Sequence, residues 1–149
     1  VEWFPMRIIE LFQKAHDTAL TESEIGEVND YLHGLERTLG IRYEAIGPDR
    51  VVAALEVTDA HRQPVGLVHG GVYASLVESA GSTAAFVFTG KLVVGVHNST
   101  DFISAVKNGV IRAEVTPVQQ GSRTQLWDVA CTEGDRLVAR GTLRTMVQH

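Results

Sequence analysis

Between His69 and Lys91 the chain carries one charged side chain, Glu78, inside the run "VHGGVYASLVESAGSTAAFVFTG". A carboxylate in such apolar surroundings is disfavoured unless something polar meets it, so its position calls for a partner or a ligand. On a helix that starts near Gly71, residues 75, 78, 79 and 82 share one face by i, i+3, i+4, i+7 spacing, with Thr83 outside the stripe. Ser75, Glu78, Ser79 and Ser82 therefore form a polar line on an otherwise buried helix. At the head of the run, Gly70 and Gly71 leave the first-turn N–H groups open to close approach by an oxygen atom. The helix dipole adds to this, so that end favours developing negative charge, as an oxyanion site does. A polarising helix end and a carboxylate on one scaffold are the parts of an acyl-transfer site.

Each feature also has a plain structural reading. Gly-Gly ahead of a helix often makes only a turn, a lone buried Glu is often half of an ion pair, and a lone His in a turn is often just a hydrogen-bonding residue. No second His, Cys or Asp stands at metal-ligand spacing, so no metal site is expected, and neither a G-x-S-x-G elbow nor a phosphate loop is present.

The elements that must hold these residues follow from period and turn chemistry. Met6, Ile8, Ile9, Leu11 and Phe12 recur at helical spacing, and "TESE" at Thr21 to Glu24 has the form of a capping box. This N-terminal helical segment, residues 1–38, is expected to pack outside the main core as a decoration. "IRYEAIG" and "RVVAALEVT", split by "GPD", predict a hairpin. After the central helix come four strands, "KLVVGVHNSTDFISAV", "GVIRAEVTPVQQ", "SRTQLWDVACT" and "DRLVARGTLRTMV", the last two joined by a turn at "EGD". In the last strand Leu137, Ala139, Gly141, Leu143, Thr145 and Val147 are expected to face inward, with Arg140, Thr142 and Arg144 outward. Two strands, one very apolar helix and four strands predict an α+β fold in which an antiparallel sheet curls around a long central helix.

The chain has 149 residues, enough for one domain, and its net charge of -5 argues against a protein built to bind nucleic acid. Its N-terminal stretch does not read as a signal peptide, and the carboxylate in the apolar run argues against a membrane span. The single cysteine, Cys131, sits in an alternating segment as a small buried hydrophobe and suits a reducing cytoplasm.

"GLVHGGVYASLVESAGSTAA" resembles the hallmark of the hotdog-fold acyl-CoA thioesterases, specifically the PaaI-like group that includes the glutamate-dependent 4-hydroxybenzoyl-CoA thioesterases. The resemblance runs over roughly Leu39 to Val147, so a hotdog core over 39–149 is expected. It implies hydrolysis of an acyl-CoA to a free acid and CoA, with no metal or redox cofactor and CoA present only as part of the substrate. Carried over by position, Glu78, nine residues after His69, would be the nucleophile or the general base, and the Gly70 N–H would polarise the thioester carbonyl. Gln63 would assist at that carbonyl, His69, which opens the HGG turn, would count among the catalytic residues, and Ser82, a serine where threonine is expected, would help place water. The turn "GSRT" would hold CoA phosphates through Ser122, Arg123 and Thr124, with Gly71 also at the substrate and Arg140 or Arg144 as the next candidates. Phe86, Phe88 and Tyr73 could line an apolar pocket. A homodimer or homotetramer with sites at subunit interfaces is implied, with a cytoplasmic location. A non-catalytic acyl-CoA-binding module and a hotdog hydratase or dehydratase are the competing readings.

Overall fold

The computed structural model describes residues 4–149; residues 1–3, with which the expected N-terminal helical segment begins, lie outside the described residues. Three short helices, α1 (Met6–Ala15), α2 (Glu22–Tyr31) and α3 (Gly34–Leu39), precede the hairpin β1 (Arg42–Ile46) and β2 (Val51–Glu56). A single 3-10 turn at Asp59–His61 leads into α4 (Gly70–Thr89), followed by β3 (Val93–Phe102), β4 (Val110–Gln120), β5 (Thr124–Glu133) and β6 (Arg136–Val147). The six strands form one antiparallel sheet in the order β1-β2-β4-β5-β6-β3. α4 packs along it against β2 to β6, which is the arrangement expected from the strand order and the helix composition. No helix among the described residues is long and apolar enough to cross a membrane.

Close approach between helix and sheet rests on missing side chains. A Cβ at Gly81 of α4 would come within 2.7 Å of Leu143 Cδ2 on β6. A Cβ at Gly141 of β6 would meet Val77 Cγ2 at 2.9 Å and the Ser99 carbonyl oxygen at 3.1 Å. The helix therefore sits in a notch that larger residues would close. Its C-terminus is set by Gly90, left-handed at φ 66°, whose N–H donates to the Phe86 carbonyl at 2.7 Å.

Two expectations need correction. The N-terminal helices are not a decoration outside the core: Ile8, Leu11, Phe12 and Ala15 of α1 and Val28 of α2 belong to the same buried cluster as α4. Phe12 meets Phe86 edge to face with ring centroids 5.3 Å apart, because the side of α4 turned away from the sheet is apolar there and must be covered. In β6, Leu137 is 38% exposed and Val138 is buried, the reverse of strict alternation. The pairing steps from Cys131↔Ala139 to Thr132↔Leu137, so Val138 is an extra residue in a bulge. Beyond it the alternation holds, with Ala139, Gly141, Leu143, Thr145 and Val147 inward.

The capping box is present as expected, with the Thr21 hydroxyl accepting from the Glu24 N–H and the Glu24 carboxylate accepting from the Thr21 N–H. Cys131 is buried, and that burial pushes its thiol up to about 12, so it behaves as core. The two edges of the sheet differ. On β1, Asn29 of α2 acts as a substitute strand: its Nδ2 donates to the Tyr43 carbonyl at 2.9 Å and its Oδ1 accepts from the Tyr43 N–H at 2.7 Å. The ten residues of β3 form the other edge and are mostly exposed, Val96 at 50%.

If the notch sets the helix-to-sheet distance, Gly141→Ala should lower unfolding stability by about 1–3 kcal/mol, the usual penalty of overpacking. Urea denaturation followed by Trp fluorescence measures it; an unchanged midpoint would show that the notch has slack.

Candidate active site

The head of α4 is built by its own motif. His69 is the N-cap in extended backbone, and its Nδ1 accepts from the Gly71 N–H at 2.8 Å. The ring proton of the capping form is thereby on Nε2. A Cβ on Gly71 would lie 2.9 Å from that same Nδ1, so this cap requires glycine there. Among the described residues, no acceptor is bonded to the Gly70 N–H, which is the open donor of the turn. The space a Gly70 Cβ would occupy is filled by the ring of Phe102 at the end of β3.

The approach to this turn is braced from behind. His61 is buried, accepts from the Thr58 N–H through Nδ1 at 2.8 Å and donates from Nε2 to the Leu39 carbonyl at 2.6 Å. Its own carbonyl accepts from the His69 N–H at 2.8 Å. Arg62 donates to the Lys107 carbonyl and to Asn108 Oδ1. Next to them Gln63 uses Oε1 to accept from the Val65 N–H at 2.6 Å, and its amide nitrogen has no partner among the described residues.

Glu78 is exposed on the side of α4 that borders β3, with Oε1 3.2 Å from where a Gly95 Cβ would stand. Ser75, Glu78, Ser79 and Ser82 line one open groove with Leu35, Glu36 and Ile41, so the polar stripe exists as a surface. Thr83 lies off it, buried, sharing a 2.8 Å hydrogen bond with the Tyr43 hydroxyl, which also donates to the Ser79 carbonyl at 2.9 Å. Burial, and after it the charge of Glu36, pushes the Tyr43 phenol well above its ordinary range. Asn98 of β3 donates to the Ala74 carbonyl at 2.9 Å and pins that edge to the helix.

The structure thus brings Gln63, His69, Gly70 and Gly71 together at one end of α4 and sets Glu78 and Ser82 along its length. Glu78 lies eight residues beyond Gly70, about 12 Å along the axis at the helical rise. The turn holding Ser122 and Arg123 stands at the opposite end, where the Val147 N–H donates to the Arg123 carbonyl and Val147 pairs with Val93. A buried chain orders that turn: Trp127 Nε1 donates to Thr145 Oγ1, which donates to Gln125 Oε1, and Gln125 Nε2 donates to the Gly121 carbonyl. Among the described residues the Arg123 guanidinium has no partner, whereas Arg140 is engaged bidentately by Asp128 at 3.0 and 3.1 Å and Arg144 donates to Gln119. Phe86 lines a cavity against the N-terminal helices, Phe88 packs edge to face on Trp127, and Tyr73 is buried beside Phe102. No group of three or more His, Cys, Asp or Glu is gathered for a metal ion among the described residues.

Sequence reasoning missed Phe102, Gly95 and Asn29. Gly95 had a signal, since glycine inside a strand marks close approach. Phe102, an aromatic ending a polar strand, and Asn29, an ordinary helix residue, show their contacts only when the chain is folded.

A sheet of this order on a single long helix, with an HGG turn at the helix head, defines a hotdog fold, and the chain belongs to the thioesterase superfamily, whose model matches residues 65–139. The resemblance seen in the HGG-to-Glu78 segment is borne out by this match. Among curated relatives, the 1,4-dihydroxy-2-naphthoyl-CoA hydrolase of Escherichia coli K12 is 35% identical over 112 residues, covering 73% of this chain and 82% of that one. Among solved structures, AziG of S. sahachiroi superposes with a TM-score of 0.75 at 39% identity, over 79% of this chain and 98% of that one. A thioesterase of Haemophilus influenzae, HI1161, superposes with a TM-score of 0.79 at 29% identity, over 84% and 90%.

As a side-chain cap, His69 should show itself in stability. His69→Ala should cost about 0.5–2 kcal/mol in urea denaturation, and His69→Asn, which can accept the same N–H, should recover most of it. Equal losses in both variants would remove the capping role.

Proposed function

We propose that the chain hydrolyses acyl-CoA thioesters to a free carboxylic acid and CoA, and that it does so as a homodimer, alone or within a homotetramer, with each site shared between two protomers. One observation carries this reading: the Gly70 N–H is open and Glu78 is open, but they lie about 12 Å apart along one helix. Reacting groups must stand about 3–3.5 Å from the carbon they attack, so the two cannot serve one carbonyl within one chain. Two copies joined through β3, with their α4 helices side by side and antiparallel, place Gly70 of one opposite Glu78 of the other. The asymmetry of the sheet supports that joint, because Asn29 pairs with the β1 backbone at Tyr43 whereas β3 leaves a ten-residue edge exposed, with Val94, Val96 and Phe102 on it.

In this site the thioester carbonyl oxygen accepts from the Gly70 N–H, at the positive end of α4, with the Gln63 amide beside it. Glu78 of the facing protomer either attacks the carbonyl carbon or takes a proton from water that does. In the first course the C–S bond breaks, CoA leaves as thiolate, and water then cleaves the mixed anhydride; in the second the water adduct breaks its C–S bond, the proton held by Glu78 passes to the departing CoA sulfur, and the acid forms directly. Ser82, one turn beyond Glu78, helps hold the water. Gly71 fixes the turn through the His69 cap, and Ser122, Arg123 and Thr124 supply the donors for CoA phosphate, the Arg123 guanidinium having no internal partner among the described residues. No metal or redox cofactor enters these steps. The E. coli relative is named for an acyl-CoA substrate, which supports the substrate class. We place the enzyme in the cytoplasm, where Cys131 stays a thiol.

Glu78→Gln keeps shape and removes the charge, so thiol release from acyl-CoA should fall by about 10²–10⁴-fold with the circular dichroism spectrum retained. Near-normal release by the folded variant would eliminate Glu78 as the reacting group. Val96→Lys, which puts a charge on the exposed edge, should shift light scattering toward monomer and take activity with it. A fully active monomer would refute the shared site.

A further inference from the structure

A second cavity lies behind the polar stripe, and the N-terminal helices form its far wall. It measures about 240 Å³ and is lined by Ile8 and Phe12 of α1, Tyr31 of α2, Tyr43 of β1 and Phe86 of α4. Glu36, Ser79 and Ser82 line both this cavity and the groove that holds Glu78, so the two adjoin at that neck. Beyond the neck the surfaces are aromatic. Phe86, one turn past Ser82, stacks on Phe4 at 5.6 Å with an interplanar angle of 13°, and Phe4 meets Phe12 at 5.9 Å. The Tyr43 hydroxyl, the polar group nearest this wall, is already bonded to the Ser79 carbonyl and to Thr83.

We propose that this cavity is the acyl pocket of the site, that the N-terminal helices set its depth, and that it selects a compact, uncharged, apolar acyl group. The inference rests on the thioesterase reading of Glu78. An apolar cavity of about 150 Å³ holds a benzene, so this one has room for one or two fused rings or a chain of about eight carbons. Phe4, Phe12 and Phe86 form its floor, and a longer chain has to displace them. Glu36 stands at the neck and Glu78 in the groove leading to it, so an acyl group with its own terminal carboxylate passes two like charges and loses hydration on entry. Phe4, Phe12 and Phe86 are thus specificity-determining through depth, and Glu36 through charge.

The test is a series of saturated acyl-CoA esters from acetyl to palmitoyl, plus adipoyl-CoA against hexanoyl-CoA, assayed by thiol release on the full chain. Wild-type kcat/KM should rise to about eight carbons, fall at least tenfold by palmitoyl, and favour hexanoyl over adipoyl at least tenfold, chiefly through KM. Phe4→Ala, and the milder Phe86→Leu should the first unfold the helix pair, should move the optimum two or more carbons longer. Glu36→Gln should narrow the hexanoyl-to-adipoyl gap at least fivefold. Turnover in which the folded variants keep the wild-type length profile and charge preference overturns this inference alone. Turnover of no ester in the series by wild type overturns the thioesterase reading, and this inference with it.

Discussion

A twenty-residue helix whose only charge is Glu78 can exist in water only if the rest of the chain wraps it, and the depth of that wrapping is set by three glycines. Gly81 lets the Leu143 side chain of β6 press onto the α4 backbone, Gly141 lets the Val77 side chain of α4 press onto the β6 backbone, and Gly95 leaves room on β3 for the Glu78 carboxylate. Because helix and sheet lie this close, the face of α4 turned to the sheet is fully dry. The stripe of Ser75, Glu78, Ser79 and Ser82 emerges at one border, beside the edge strand, where a carboxylate keeps its hydration.

That border is also where the sheet lies open. The sheet has two ends, and the chain closes only one of them, using the Asn29 side chain to satisfy the Tyr43 backbone on β1. At the other end β3 carries exposed Val94, Val96 and Phe102, with Phe102, 61% exposed, laid across Gly70. An edge of this kind is a template for pairing. The turn with the free Gly70 N–H and the exposed edge strand are thus in contact through Phe102, and the geometry of one depends on the other.

The N-terminal helices are held mainly by apolar contacts. They could have been held by surface charge alone, and Arg7–Glu27 and Lys14–Glu24 do link α1 to α2 at hydrogen-bond distance. Such exposed pairs contribute little, however. The weight is carried by Leu11, Phe12 and Ala15 buried against α4 around Phe86, and the same rings that secure the helices shape the cavity beside the stripe.

What could be read from the sequence was what depends on neighbours along the chain. The Thr21–Glu24 capping box, the hairpin around "GPD", the turn at Gly134, the inward residues of β6 from Ala139 on, and the line of polar residues on α4 all follow from spacing and turn chemistry, and all are present. The HGG-to-Glu78 segment carried the family as well, because a cap that needs glycine at position 71 leaves a compact, recognisable motif. The extra residue Val138, Phe102 over Gly70, Asn29 closing β1 and the burial of α1 on Phe86 were decided only by tertiary structure. Each depends on residues far apart in sequence whose pairing has no period to betray it. A strand's alternation indicates which way side chains point until a bulge shifts it, and a helix's apolar face shows that it will be covered without showing by what.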